Sequence, residues 1–274
     1  MPPTAPTRIT AADQQPLPPA GLRTEPAAAP TDDVLAGQAA YTPRMLITYD
    51  VMVHRVTGPW IFRCPTRRLD EHYRRHVSAN HLDVGIGTGF LLDRCRFPSA
   101  DPRVALMDLN PATLAYSARR LQRYRPEVYR RNVLDRIVLD APGFASIGLN
   151  YLMHCVPGAI EAKSVVFDHL KALMNPGAVL FGATVLQGGV RRNWAARRLM
   201  GVFNHHRIFS NRHDDLHGLR RALHHRSYLG GFFGVGSVGG VCSPGEGGGG
   251  VARARVQVDE GAQHRQCRRQ HHRR

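Results

Sequence analysis

Residues 81–90, HLDVGIGTGF, decide how this chain is read. An apolar run containing Asp83 leads into three alternating glycines, Gly85, Gly87 and Gly89, and the apolar pattern resumes at Phe90. That order predicts a strand over 80–85, a tight turn and a helix from about 89 through 95, because glycine adopts positive φ at no steric cost and lets a backbone approach a ligand closely. Two familiar glycine loops fail to match. A nucleotide hydrolase needs GxxxxGK followed by Ser or Thr, and no lysine lies near this loop. A dinucleotide fold needs GxGxxG, whose third glycine would fall on Phe90, where a phenylalanine crowds a pyrophosphate.

Working outward, VALMDLN at 104–110 has the continuous apolar character of a strand buried on both faces. Pro111 then opens a helix through PATLAYSARRLQRY, a position where its missing N–H costs nothing. FASIGLNY at 144–151 reads as a strand, KSVVFDHLKALMN as a helix stopped by Pro176 and Gly177, and AVLFGATVL as a further strand. Strand and helix alternate, which predicts an α/β domain with a doubly wound, Rossmann-like parallel sheet and a ligand at the carboxyl ends of its strands.

Strand, D-x-G-x-G-x-G, then helix resembles the donor loop of the class I S-adenosylmethionine-dependent methyltransferases of small-molecule type, over roughly residues 41–225. The resemblance implies S-adenosylmethionine as cofactor, with Asp83, Gly85, Ile86, Gly87, Thr88 and Gly89 passing under its methionine and ribose. It implies that Asp108, ending the second strand beside Leu109 and Asn110, grips the ribose hydroxyls. Asn132, Val133 and Leu134 are then expected to flank the adenine, and Asn150 and Tyr151 to approach the amino group. In such enzymes the segment before the first strand often folds over the ligands, so Tyr41, Tyr49 and Trp60 are candidate lid or substrate contacts.

Methyl transfer from a sulfonium is an in-line displacement that needs alignment rather than a metal or a covalent nucleophile. A general base is required only if the acceptor must lose a proton, and His154 is the candidate, set against a plain packing role. No His/Cys/Asp/Glu spacing suggests a metal. Base and glutamine N-methyltransferases carry Pro-Pro after the Asp or Asn that ends the fourth strand; here Tyr151, Leu152 and Met153 follow Asn150. A small-molecule acceptor is therefore expected, with oxygen, nitrogen and carbon all left open. A nicotinamide oxidoreductase is the alternative, opposed by Phe90.

Composition bounds the rest. The formal charge of +16 comes from 37 basic residues of which only Lys163 and Lys171 are lysines, a bias that GC-rich coding produces without selection for phosphate binding. Nucleic acid is thus not an expected partner, and no apolar run suits a membrane span. Five scattered cysteines fit a reduced, cytoplasmic setting. Residues 1–40, rich in Pro and Ala, are expected to be a disordered leader and 41–229 the methyltransferase domain. From 230 to 250 eleven residues are glycine, and an Arg/His-rich run follows to 274. That glycine density predicts a sheet lacking its last two strands and an aberrant or disordered tail. A reading frame shifted after about residue 226, leaving a truncated and inactive methyltransferase-like product, would explain it.

Overall fold

The computed structural model describes residues 22–23, 31, 34, 43–226, 231–235 and 238–244. Its centre is a sheet of β2 (Asn80–Val84), β3 (Arg103–Asp108), β4 (Glu127–Arg130), β5 (Phe144–Asn150) and β6 (Met174–Val185), all mutually parallel. With β1 (Leu22–Arg23), β7 (Gly231–Val235) and β8 (Val238–Pro244) the spatial order is β1-β4-β3-β2-β5-β6-β8-β7. The doubly wound Rossmann-like sheet expected from the sequence is the one present.

Side chains of the central strands alternate between two cores, as the twofold period of a strand requires. Leu82, Val84, Ala105 and Met107 face one layer, packed against Val166, Phe167 and Leu170 of α6 (Val165–Lys171) and Leu219 and Leu223 of α8 (Leu216–His224). Val104, Leu106, Val128 and Phe181 face the other, against Leu69 and Tyr73 of α2 (Thr66–His76), Leu91 and Leu92 of α3 (Phe90–Arg94), Leu114 of α4 (Pro111–Arg120) and Met200 of α7 (Trp194–His205). A single-turn α5 (Ile160–Lys163) precedes α6. Burial on both faces accounts for the continuous apolar runs that marked these strands in the sequence.

The sheet does not lack its last two strands. β8 pairs antiparallel with β6 from Val179↔Pro244 to Val185↔Val238, and β7 pairs antiparallel with β8 beyond it. A ladder is held by main-chain N–H and C=O groups, which glycine has in full, so a long preformed neighbour can offset glycine's entropy cost. Phe232, Phe233, Val235, Val238 and Val241 also supply strand-forming residue types that the glycine count obscured. At the opposite edge Leu22 and Arg23, inside the stretch expected to be a leader, pair parallel with Val128 and Tyr129 of β4, whose main chain would otherwise be an open edge. Most of the predicted leader, and the tail beyond 244, lie outside the described residues.

Strand order reverses between β3 and β5 around β2, which opens a crevice at the carboxyl ends of β2 and β5. Over it lies a continuous helical segment, α1 (Pro43–Asp50), which runs into a π-helix over Val51–Ile61. Wide π turns are uncommon and concentrate at functional sites.

Candidate active site

The loop leaving β2 is shaped by its glycines. Gly85, Gly87 and Gly89 have φ of 68°, 56° and 72°, a region that side chains with a Cβ avoid. The three do different work. A Cβ on Gly85 would sit 2.8 Å from the Cβ of Leu152, and one on Gly89 would press on Leu121 and Ser117 at 3.3 Å, so both glycines allow close packing. A Cβ on Gly87 would meet nothing within 4 Å, so this glycine borders open space.

That space is a cavity lined by every residue the sequence assigned to the donor: Asp83, Gly85, Ile86, Gly87, Thr88, Gly89, Asp108, Leu109, Asn110, Asn132, Val133, Leu134, Asn150 and Tyr151. At its floor Asp108 accepts the backbone N–H of Asn110 at 2.9 Å and those of Leu109 and Gly87. Burial pushes its carboxyl up to about 6 despite these donors, which favour the ionised form. Asn110 caps α4 through its side chain, accepting from Ala112 and Thr113, and Asn132 Oδ1 accepts from Leu134 N–H at 3.1 Å. Asp83 Oδ2 accepts from the Tyr73 hydroxyl at 2.7 Å. Asn150, only 7% exposed, has no hydrogen-bond partner on either amide atom. Tyr151, next in the chain, has φ of 57°, a strained setting for a bulky residue at the end of a strand.

The segment before the sheet folds over this loop, as expected, through contacts the sequence did not reveal. Asp50 at the end of α1 accepts from the Thr88 hydroxyl and pairs with Arg120 Nη1 at 2.7 Å, and the same nitrogen donates to the Thr88 carbonyl at 3.0 Å. His54 stacks on Phe90 with ring centroids 4.2 Å apart, and the guanidinium groups of Arg94 and Arg120 approach the same ring at 5.3 and 5.6 Å. Burial lowers the His54 pKa to about 4, outweighing the carboxylates of Asp50 and Asp70, so the ring is neutral. Tyr49 lines the cavity. Trp60 does not: it lies near the end of the π-helix and is 76% exposed, which corrects its expected place in the lid. Tyr41 lies outside the described residues.

A second cavity adjoins the first and shares Tyr49 and Tyr151 with it. His154 lines this second cavity and not the first. Its Nδ1 accepts the backbone N–H of Val185 at 3.3 Å and lies 3.2 Å from Thr184 Oγ1, while its ring packs edge-on against Phe209 at 4.3 Å. Burial first, then the nearby Lys163 charge, lowers its pKa to about 3. The structure thus sets His154 in the wall of the second cavity with Nδ1 already occupied, an arrangement that suits the packing role weighed against that of a general base. Behind it Lys163 forms a buried ion pair with Asp214 at 2.5 Å and donates to the carbonyl of Ser210 at 2.7 Å, while Ser210 N–H donates to the His154 carbonyl at 2.7 Å. These bonds hold the wall of the second cavity in place. Among the described residues no group of three His, Cys, Asp or Glu side chains could hold a metal ion, and no helix is long and apolar enough to cross a membrane.

No general family profile matches the chain. Individual relatives do. Demethylluteothin O-methyltransferase of Streptomyces thioluteus is 42% identical over 190 residues, 69% of this chain and 83% of that one. A physcion biosynthesis cluster O-methyltransferase of Aspergillus chevalieri is 33% identical over 189 residues, 68% of this chain and 85% of that one. In fold, an O-methyltransferase family protein from Burkholderia thailandensis superposes with a TM-score of 0.56 at 17% identity, covering 77% of this chain and 62% of that one. The DhpI–SAH complex gives 0.56 at 15% identity, covering 79% and 99%. With a relative 42% identical across 83% of that protein's length, and a doubly wound sheet whose glycine loop and strand-end acid line one cavity, the chain belongs to the class I S-adenosylmethionine-dependent methyltransferases that act on small molecules.

Proposed function

We propose that this methyltransferase transfers its methyl group to a hydroxyl oxygen of a small molecule, with the donor held in the first cavity. The names of the two curated relatives support oxygen as the acceptor atom. The observation that carries the donor site is the convergence, in one cavity, of a carboxylate, an open glycine and an unpartnered buried amide: Asp108, Gly87 and Asn150. These groups fit a nucleoside amino acid. Asp108 accepts from both ribose hydroxyls, the loop from Gly85 to Gly89 gives the ribose and methionine a close approach, and Asn132, Val133 and Leu134 border the adenine. Asn150 and Tyr151 meet the amino acid end, where a buried amide without a partner gains most from a polar ligand.

S-adenosylmethionine supplies an already activated methyl group. The protein aligns donor and acceptor and keeps water out, and alignment of this kind contributes several kcal/mol, up to roughly 7 to 11. Asp50, Thr88 and Arg120 fasten the covering helix to the loop and so help to exclude water. The catalytic unit is residues 41–229 completed by β7 and β8, working in the cytoplasm, where free thiols such as Cys64 and Cys95 persist. Incubation with methyl-labelled donor and a panel of hydroxyl, amine and carbon-acid acceptors tests the reading: label should appear as a methyl ether, and label found only on nitrogen or carbon would overturn it.

A further inference from the structure

We propose that the second cavity receives the methyl acceptor and selects an uncharged, ring-shaped molecule whose hydroxyl ionises without a base from the protein, that is, a phenol or an enol. The proposal rests on the reading of the first cavity as the donor site, because the two cavities meet at Tyr49 and Tyr151 and the methyl group must cross there.

The walls determine the class of molecule. Met52, Val53, Phe62, Val185, Ile208 and Phe209 make most of the lining, and among the described residues that border it there is no carboxylate, lysine or arginine. An acceptor that brings a charge of its own, with no donor sulfonium to offset it, would lose its hydration and find no counter-ion on these walls. Flat aromatic and sulfur-containing walls instead favour a planar ring.

The polar groups determine the chemistry. Since Val185 N–H donates to His154 Nδ1, the ring hydrogen resides on Nε2, so the imidazole has a donor left to offer and no basic nitrogen. Burial acts in the same direction, holding the ring neutral with a pKa of about 3. The Tyr151 hydroxyl, buried against the Cys64 thiol, has its pKa raised well above the usual tyrosine value by burial and then by Cys64 and Tyr49. Cys64 itself is pushed up to about 11, and Lys163, behind His154, is committed to Asp214. Tyr49 completes the titratable groups facing this space. With Nδ1 of His154 occupied by Val185 N–H, the lining offers the acceptor no free basic nitrogen, and the acceptor's proton passes to water. Its oxygen lone pair then forms the new C–O bond while the S–CH3 bond breaks, the bonding pair passes to sulfur, and a neutral ether and a neutral thioether result. An oxyanion and a sulfonium cancel each other's charge in this step, which dry apolar walls favour.

Two measurements test this without turnover. Calorimetric titration without donor should show 1-naphthol binding at least tenfold more tightly than 1-naphthoate. Met52→Lys should cost naphthol at least tenfold, while Met52→Leu stays within about threefold and both variants bind S-adenosylhomocysteine as the parent does. Equal or tighter naphthoate binding, or naphthol binding untouched by Met52→Lys, would overturn the proposal. Nitrogen-15 NMR of the imidazoles, with His154 assigned through His154→Gln, should show the Nε2–H tautomer unchanged from pH 8 to 5. An Nδ1–H tautomer, or titration near pH 6 to 7, would restore a base and overturn it. A parent protein that binds naphthol but not S-adenosylhomocysteine would instead overturn the donor reading.

Discussion

His54 lies face to face with Phe90, the ring centroids 4.2 Å apart and the planes 16° from parallel, so the covering helix rests on the first residue after the glycine loop. The phenylalanine that disqualifies a dinucleotide loop is thus the seat of the lid. Aromatic contacts of this kind contribute roughly 0.5 to 1.5 kcal/mol beyond their buried area. His54→Ala should weaken S-adenosylhomocysteine binding by about tenfold and lower the melting temperature by about 2 to 4 °C for each kcal/mol of lost packing, whereas His54→Phe should retain most of the affinity. Unchanged affinity in the alanine variant, read by calorimetry, would mean the lid closes without this contact.

Asp108 accepts the N–H of Gly87, and burial holds its pKa at about 6 before the donor arrives. Ribose hydroxyls donate to an ionised carboxylate, so donor affinity should be flat above pH 7 and fall about tenfold per pH unit below 6. Hydrogen bonds to charged groups contribute roughly 1.5 to 3 kcal/mol each, so Asp108→Ala should cost on the order of a hundredfold or more with the fold intact. Asp108→Asn should bind weakly and lose the pH dependence. Calorimetric titrations from pH 5 to 8 decide it.

Gly87→Val should abolish donor binding. Nothing in the protein opposes its Cβ, so the stability loss should be confined to the positive φ, about 1 to 2 kcal/mol. A folded variant that binds the donor normally would show that this glycine serves only the turn.

Acid should destabilise the protein well above the usual carboxylate range. His54 and His154 have pKa values of about 4 and 3 in the fold, against about 6.5 for the unfolded chain, so as pH falls below 6.5 the unfolded state gains protons the folded state refuses. Asp108 works the other way: its folded pKa of about 6 stabilises the native state once pH drops below that value. Burial lowers His76 as well and raises Asp214, adding one group to each side, and the histidines outweigh the carboxyls. The melting temperature should drop between pH 6.5 and 4.5, by about 2 to 4 °C for each kcal/mol lost. The slope should lessen in His54→Gln. A melting temperature that holds steady or rises over this interval would refute the assignment.

The cavity at the strand ends was legible in the sequence because its residues are tied to those ends: once β2, β3 and β5 are placed, Gly87, Asp108 and Asn150 must meet there. Asp50, Arg120 and His54 were not legible, since their partners lie 70, 70 and 36 residues away or closer only in space, and nothing in the local pattern marks a long-range clamp. For His154 the sequence left base and packing roles side by side, because only the fold reveals that Val185 N–H occupies its Nδ1. The two closing strands were missed because glycine count reports backbone entropy and says nothing of the neighbour that offers a ladder. Deleting residues 227–274 should expose the edge of β6 and drive the protein into aggregates.

The most direct test of the donor site is a pair of titrations of the purified chain, one with S-adenosylhomocysteine and one with NAD, each repeated on Asp108→Ala. Saturable one-to-one binding of S-adenosylhomocysteine, lost in the variant, with no binding of NAD, is the predicted result; binding of NAD without S-adenosylhomocysteine, or S-adenosylhomocysteine affinity indifferent to Asp108, would contradict it.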